Sequence, residues 1–326
     1  MRQLQRLVLS SVFSKVFLAL LAGIYVVYLA GFGHAVSLEL PFSSPSISVH
    51  AMNADASDVY NYWTTANLRS AVNEDVLQAN SVSSAQTSSD TSQGKAAKQQ
   101  GQPPRNGNSE YPLSTVGKLF MTNANGQNMV CSGTAVVSSN DSVVDTAGHC
   151  LYWNGGWVRN VLFCPLYASG KSPYGCWVAR DLEVPSDWIN RKPNELHHDY
   201  GMAIVSANDE GKLTDVVGGA GWAYNQSVNQ PYYAYGYPAA HPFDGQTRQT
   251  CESPSGKLWN FAGGTVVSIP CNMTGGSSGG PWFIKSGNNW YLSGHNDFTS
   301  TIQYGHMFSP YYDDTWYALY SKAQQT

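Results

Sequence analysis

From residue 116 to residue 292 the chain is a succession of short apolar runs, each the length of a strand and each closed off by turn residues. Val116–Met121, Met129–Val137, Val161–Cys164, Met202–Val205, Tyr232–Tyr237, Thr265–Ile269, Trp282–Ile284 and Trp290–Leu292 are bounded by Gly, Pro, Asn, Asp or Ser. No amphipathic helix of any length interrupts them before Asp313–Ala323. Units in which strands alternate with helices need such helices, so the pattern predicts an all-β chain of closed antiparallel barrels ending in a C-terminal helix. Composition agrees: 31 glycines serve tight turns, and 13% aromatic residues suit half-buried strands. With 42% hydrophobic and 12% charged residues the chain can bury a substantial core.

The N-terminal third reads differently. Arg2, Arg6 and Lys15 precede Val16–Phe32, an uncharged stretch that ends in Gly33-His34-Ala35, a small-x-small pattern. This predicts a signal peptide over residues 1–35, cut after Ala35. The apolar stretch, about 17 residues long, also approaches a membrane span, so an uncleaved N-terminal anchor is the alternative. Either way the remainder is expected to be exported, secreted in the first case and membrane-held in the second. Residues 36–110 lack sustained periodicity, and 79–108 are crowded with Ser, Gln, Asn, Gly and Lys, which predicts a disordered pro-segment or linker. One island, Tyr60–Ala71, offers Thr64 as the cap of a short helix. The globular domain is then 111–326.

Charge excludes one class of partner. The net charge is −4, the charges of residues 1–110 cancel, and nothing is basic enough to bind nucleic acid. All six cysteines, Cys131, Cys150, Cys164, Cys176, Cys251 and Cys271, lie in the globular domain. An even number in an exported chain implies three disulfides. Sequence leaves the full pairing open, although nearest-neighbour spacing suggests Cys164–Cys176 and Cys251–Cys271. Irregular spacing and the lack of any Cys-x-x-Cys pair give no expectation of a metal or other cofactor.

Two stretches carry chemistry. In Gly275-Gly276-Ser277-Ser278-Gly279-Gly280-Pro281-Trp282 small residues let the backbone turn sharply and aim its own N–H groups. A serine nucleophile needs such donors waiting for the oxyanion of acyl transfer, so Ser278 is the expected nucleophile with the Gly276 and Ser278 amides as oxyanion hole. Val143-Val144-Asp145-Thr146-Ala147-Gly148-His149-Cys150 reads as a strand that delivers His149 to a cleft. Together, Thr146-Ala147-Gly148-His149-Cys150 and Gly276-Ser277-Ser278-Gly279-Gly280-Pro281 resemble the chymotrypsin-like serine peptidases, particularly their bacterial secreted and glutamyl-endopeptidase-like branches. The likeness runs from about Leu113 to the C-terminus, with histidine before serine as in that family.

The resemblance implies two six-stranded antiparallel β-barrels with the active-site cleft between them, a Cys131–Cys150 disulfide and a monomer acting on polypeptides. It also implies a carboxylate that orients the histidine. Asp199 is the choice, because it leads into the apolar run Tyr200–Val205, whereas Asp181, Asp187 and Glu195 do not. Asn272 falls at the base of the substrate pocket, and Tyr291–Phe298, with Ser293 and His295, is the expected substrate strand. By analogy with glutamyl endopeptidases, His295 would receive a substrate Glu side chain. Glu-preferring cleavage would then permit self-processing at Glu110–Tyr111.

The chain departs from the family in two ways. Ser277 stands where digestive relatives have an aspartate, so their N-terminal activation salt bridge is unavailable, and Asn272-Met273-Thr274 offers no carboxylate for a basic substrate residue. Rival readings are a serine esterase or lipase, since Gly276–Gly280 fits Gly-x-Ser-x-Gly, and an inactive binding module on the same barrels. Chain order argues against the esterase, whose histidine must follow its serine.

Overall fold

The computed structural model describes residues 45–73, 78–79, 95–105, 110–190, 195–261, 264–300 and 303–326. Six strands close the first barrel: Val116–Thr122, Asn128–Val136, Val143–Ala147, Tyr200–Val205, Trp177–Pro185 and Arg159–Pro165. Each pairs antiparallel with the next, and the last returns to the first through Leu162 opposite Phe120. Its interior is filled by Leu119, Met121, Ala135, Val144, Phe163, Trp177, Leu182 and Ala203, all buried. Alternation along each strand sends these residues inward while their neighbours face the second half.

The second half is all-β as expected and lays its strands in two ladders around one core. Gln249–Ser253, Tyr232–Gly236, Pro281–Ser286 and Asn289–His295 form one. Lys257–Phe261, Gly264–Pro270, His306–Pro310 and Phe298–Ser300 form the other. Tyr232, Ala234, Val267, Ile269, Trp282, Ile284 and Met307 lie between them. All three disulfides pair as expected: Cys131–Cys150, Cys164–Cys176 and Cys251–Cys271.

The C-terminal helix is Asp314–Ala323, capped by Asp313, whose side chain accepts the N–H groups of Thr315 and Trp316. Trp316, Leu319, Tyr320 and Ala323 fall on one face at helical spacing and are buried. The Tyr320 hydroxyl donates to the Val137 carbonyl, and the Asn140 amide donates to the Ala323 carbonyl at the helix end. The helix is thereby fixed to the first barrel.

Ahead of residue 111 the expectation of disorder needs correction. Ile47–Ala51 adds an antiparallel strand to Trp177–Pro185, and Ala97–Gln99 pairs with Gly221–Tyr224 in the second half. Helices Ala56–Tyr62 and Thr65–Ser70 follow the first of these strands, and Thr64 caps the second helix by accepting the Asn67 N–H, as its sequence predicts. Trp63 is buried against Phe120, with ring centroids 5.5 Å apart, and its indole N–H donates to the Asn160 carbonyl at 2.6 Å. Short polar strands stabilise themselves only on a partner edge, which no local composition records. The most polar stretch, 80–94, and the apolar N-terminal segment lie outside the described residues. Among the described residues no helix is long and apolar enough to cross a membrane.

If this arm is integral to the barrel, Trp63→Ala should cost about 3–5 kcal/mol of unfolding free energy, read from denaturant melts. A loss under about 1 kcal/mol would make the arm an accessory.

Candidate active site

Ser278 lies in the bend between Gly264–Pro270 and Pro281–Ser286. The bend is tied to itself and to the following strand. The Ser277 hydroxyl donates to the Thr274 carbonyl at 2.8 Å, and the Gly280 N–H donates to the Ser277 carbonyl at 2.9 Å. Gly279 donates to the Asn296 carbonyl at 2.7 Å, and Asn296 donates back to Gly280 at 2.8 Å. Gly276 has φ +92° and Gly279 φ +78°, and a Cβ on Gly279 would collide with Thr146 and the Ser132 carbonyl. The Gly276 and Ser278 amides have no acceptor among the described residues.

Ser132, on the first barrel, joins this bend to the rest. Its N–H donates to the Ser278 carbonyl at 2.7 Å, and its hydroxyl donates to the Gly276 carbonyl at 2.9 Å while accepting the Tyr237 N–H. Its own carbonyl accepts the Thr146 hydroxyl at 2.8 Å, three residues before His149. The Cys131–Cys150 bridge flanks the same junction.

His149 stands on a single tight turn, Gly148–Cys150, at the end of the Val143–Ala147 strand. Tyr200 is opposite Ala147 in the ladder, so the register brings Asp199 beneath the turn. The His149 backbone N–H donates to Asp199 Oδ1 at 2.7 Å, and His149 Nδ1 lies 2.9 Å from Asp199 Oδ2. Both side chains are buried. His149 Nε2 is buried with no hydrogen-bond partner among the described residues. Burial alone would lower the imidazole pKa, but the charge and hydrogen bond of Asp199 above all outweigh it and hold it well above the usual histidine value. Burial likewise raises the Asp199 carboxyl, yet its contacts with His149 win and leave it below the ordinary aspartate value. An imidazole whose Nδ1 proton is held by a carboxylate presents a lone pair at Nε2, which is what a general base requires.

A second carboxyl was not foreseen from sequence. Asp297 is fully buried, with Oδ1 3.2 Å from His149 Nδ1. Burial and the neighbouring Asp199 charge push its pKa well above the usual carboxylate range. Asp297 was legible only as part of the expected substrate strand, because nothing local marks one aspartate there as facing a histidine over a hundred residues away.

His295 does not sit where a substrate side chain could reach it. It is fully buried, with Nδ1 2.9 Å from the Tyr312 hydroxyl and Nε2 3.1 Å from the Asp199 carbonyl oxygen. Tyr312 and the indole of Trp316 in turn donate to the two oxygens of Asp145, at 2.7 and 2.8 Å. His295 thus links the C-terminal helix to the loop carrying Asp199. Ser293 lies on the Asn289–His295 strand and is not among the residues that line the cavity beside Thr274. That cavity, about 270 Å³, is walled by Asn272, Met273, Thr274, Thr299, Ser300, Tyr304, Gly305 and His306. Asn272 is among these lining residues, and the strand residues that line the cavity, Thr299 and Ser300, follow the Tyr291–Phe298 stretch. His306 Nδ1 is 3.3 Å from the Ser268 hydroxyl, which itself accepts the Trp259 indole N–H. Ser268 can then donate to Nδ1, which leaves Nε2–H as the donor of His306. Burial and the nearby Lys257 charge lower its pKa.

No protein-family model and no curated protein matches the chain. Solved structures do. The thermostable serine protease AL20 from an extremophilic microorganism is 39% identical, with 66% of this chain covering 98% of that one at a TM-score of 0.59. Protease Anisep from Arthrobacter nicotinovorans is 35% identical, with 69% of this chain covering 100% of that one at a TM-score of 0.60. A Glu endopeptidase in complex with MPD, 16% identical, shares the fold, with 70% of this chain covering 98% of that one at a TM-score of 0.51.

If His295 serves only to hold the Asp199 loop, His295→Phe should lower stability by about 1–3 kcal/mol and leave cleavage preference unchanged. Altered preference at unchanged stability would return it to the pocket.

Proposed function

The chain belongs to the chymotrypsin-like serine proteases, and we propose that it is an exported endopeptidase that cuts after Glu through Ser278, His149 and Asp199. The observation that carries the reading is the buried His149, fixed by Asp199 through Nδ1 and its backbone N–H, with Nε2 left unpaired. Ser278 Oγ attacks the scissile carbonyl as Nε2 takes its proton, and the Gly276 and Ser278 amides receive the oxyanion. The imidazolium then gives that proton to the leaving amine, and water repeats the steps on the acyl-enzyme. Three disulfides support an oxidising destination.

The pocket supports the Glu preference without His295. Its lining residues include the hydroxyl-bearing Thr299 and Ser300 and the imidazole of His306, no acidic residue lines it among the described residues, and Lys257 acts on His306 electrostatically. A carboxylate needs such donors on leaving water. Self-processing at Glu110–Tyr111 stays part of the proposal with an altered consequence. The strands Ile47–Ala51 and Ala97–Gln99 would remain paired to the barrels after the cut.

A peptide library read by mass spectrometry tests both levels. Cleavage should follow Glu, Ser278→Ala should lose about 10⁶ in kcat, and His306→Ala should reduce the preference for Glu over Gln about tenfold. Because His149 must be neutral to act as base and its pKa is raised, the acid limb of kcat/KM should lie above about pH 6.5. Cleavage undiminished in Ser278→Ala would defeat the mechanism, and cuts unrelated to Glu would defeat the specificity alone.

A further inference from the structure

The site holds two buried carboxyls against one imidazole, one more than the proposed mechanism uses. His149 Nδ1 carries a single proton, 2.9 Å from Asp199 Oδ2 and 3.2 Å from Asp297 Oδ1. Asp199 takes that proton's hydrogen bond and the His149 backbone N–H as well. Asp297 takes neither: both its carboxyl oxygens are buried and accept no hydrogen bond among the described residues. An ionised carboxylate buried without a donor costs several kcal/mol, and an ionised Asp199 beside it adds repulsion.

We propose that Asp297 is a positioning residue that stays a neutral carboxylic acid at the pH of catalysis and shares its proton with Asp199. The inference rests on Ser278, His149 and Asp199 acting as described above. One ring nitrogen of His149 and one carboxyl oxygen from each of Asp199 and Asp297 lie within 4.8 Å of one another, so Asp199 is within the acid's immediate surroundings. Two carboxyls this close titrate as a pair, with one proton held between them over a wide pH range. The arrangement keeps the negative charge on Asp199, against His149 Nδ1, and gives Asp199 a third donor that limits its rotation. The acid itself is anchored by its backbone, whose N–H donates to the Phe308 carbonyl at 2.9 Å.

Other titratable groups lie around the pair, among them Asp313, which is 3.5 Å from the Tyr200 hydroxyl and accepts the N–H groups of Thr315 and Trp316. Tyr200, next to Asp199, donates its hydroxyl to the Tyr311 carbonyl at 2.6 Å. Behind it, Asp145 accepts from Tyr312 and Trp316, and His295 spans Tyr312 and the Asp199 carbonyl. Among the described residues no lysine or arginine pairs with Asp297, so nothing compensates a second negative charge there.

Infrared difference spectroscopy tests the protonation state directly. Comparing Ser278→Ala with Ser278→Ala/Asp297→Asn at pH 7 should show loss of one protonated-carboxyl C=O band. Loss of a carboxylate band instead would overturn the proposal. Carboxyl-¹³C NMR of the Ser278→Ala chain serves if the double variant does not fold. One buried aspartate should stay protonated at pH 7, and finding none would contradict the proposal. Kinetics then separate positioning from packing. Asp297→Asn keeps a neutral donor and should be at least about tenfold more active than Asp297→Leu, which keeps the bulk without it. The acid limb of kcat/KM should stay in place in Asp297→Asn. A limb moved down by about one pH unit would mean that Asp297 is ionised in the parent enzyme, and equal activity of the Asn and Leu variants would remove the hydrogen-bonding role. These outcomes concern Asp297 alone, whereas a failure of the underlying mechanism would appear as activity surviving Ser278→Ala.

Discussion

Everything at the site depends on how Ser132 is spent. It lies mid-strand in Asn128–Val136, which pairs on both sides, with Val116–Thr122 and with Val143–Ala147, so its register cannot drift. Alternation puts Cys131 and Ser132 on opposite faces. Cys131 bridges to Cys150, beside His149, and Ser132 crosses to the other half, where it meets the carbonyls of Gly276 and Ser278 and the N–H of Tyr237. Two adjacent residues therefore tie the histidine-bearing turn and the serine-bearing bend to the same strand. A slip of one residue would exchange their faces and separate the two.

Electrostatics set a second requirement, since His149, Asp199 and Asp297 are all buried and water cannot correct a misplaced partner. Asp199 is held from several directions: by His149 through its side chain, by the ladder through Tyr200, and by His295 through its carbonyl. The last of these reaches through Tyr312 and Asp145 to Trp316, so a helix at the chain's end steadies a carboxyl in its middle. That is why His295 has no nitrogen left for substrate.

What could be read in advance follows the range of the interaction that decides it. Ser278 and His149 could be proposed from sequence because sharp turns of small residues are local, and Asp199 because it opens an apolar strand. Two disulfides followed from spacing and the third from family resemblance. His295 misled because a histidine on the right strand looks the same whether its ring faces a pocket or a tyrosine, and only the placement of Tyr312 and the Asp199 carbonyl against the ring distinguishes them. His306 and Asp297 owe their positions to strands brought together from distant parts of the chain. Apart from the short helix that Thr64 caps, residues 45–73 carried no local signal for the same reason: their order comes from the edge of Trp177–Pro185 and from a slot beside Phe120.

The central claim is that Ser278 is a nucleophile made reactive by His149. A fluorophosphonate probe, which labels an activated serine and leaves an ordinary one alone, addresses it without assuming any substrate. Peptide mapping by mass spectrometry should find one adduct, on Ser278, in the folded enzyme, and none in His149→Ala or in enzyme unfolded before exposure. An adduct on another residue, or equal labelling of Ser278 in His149→Ala, would contradict the account.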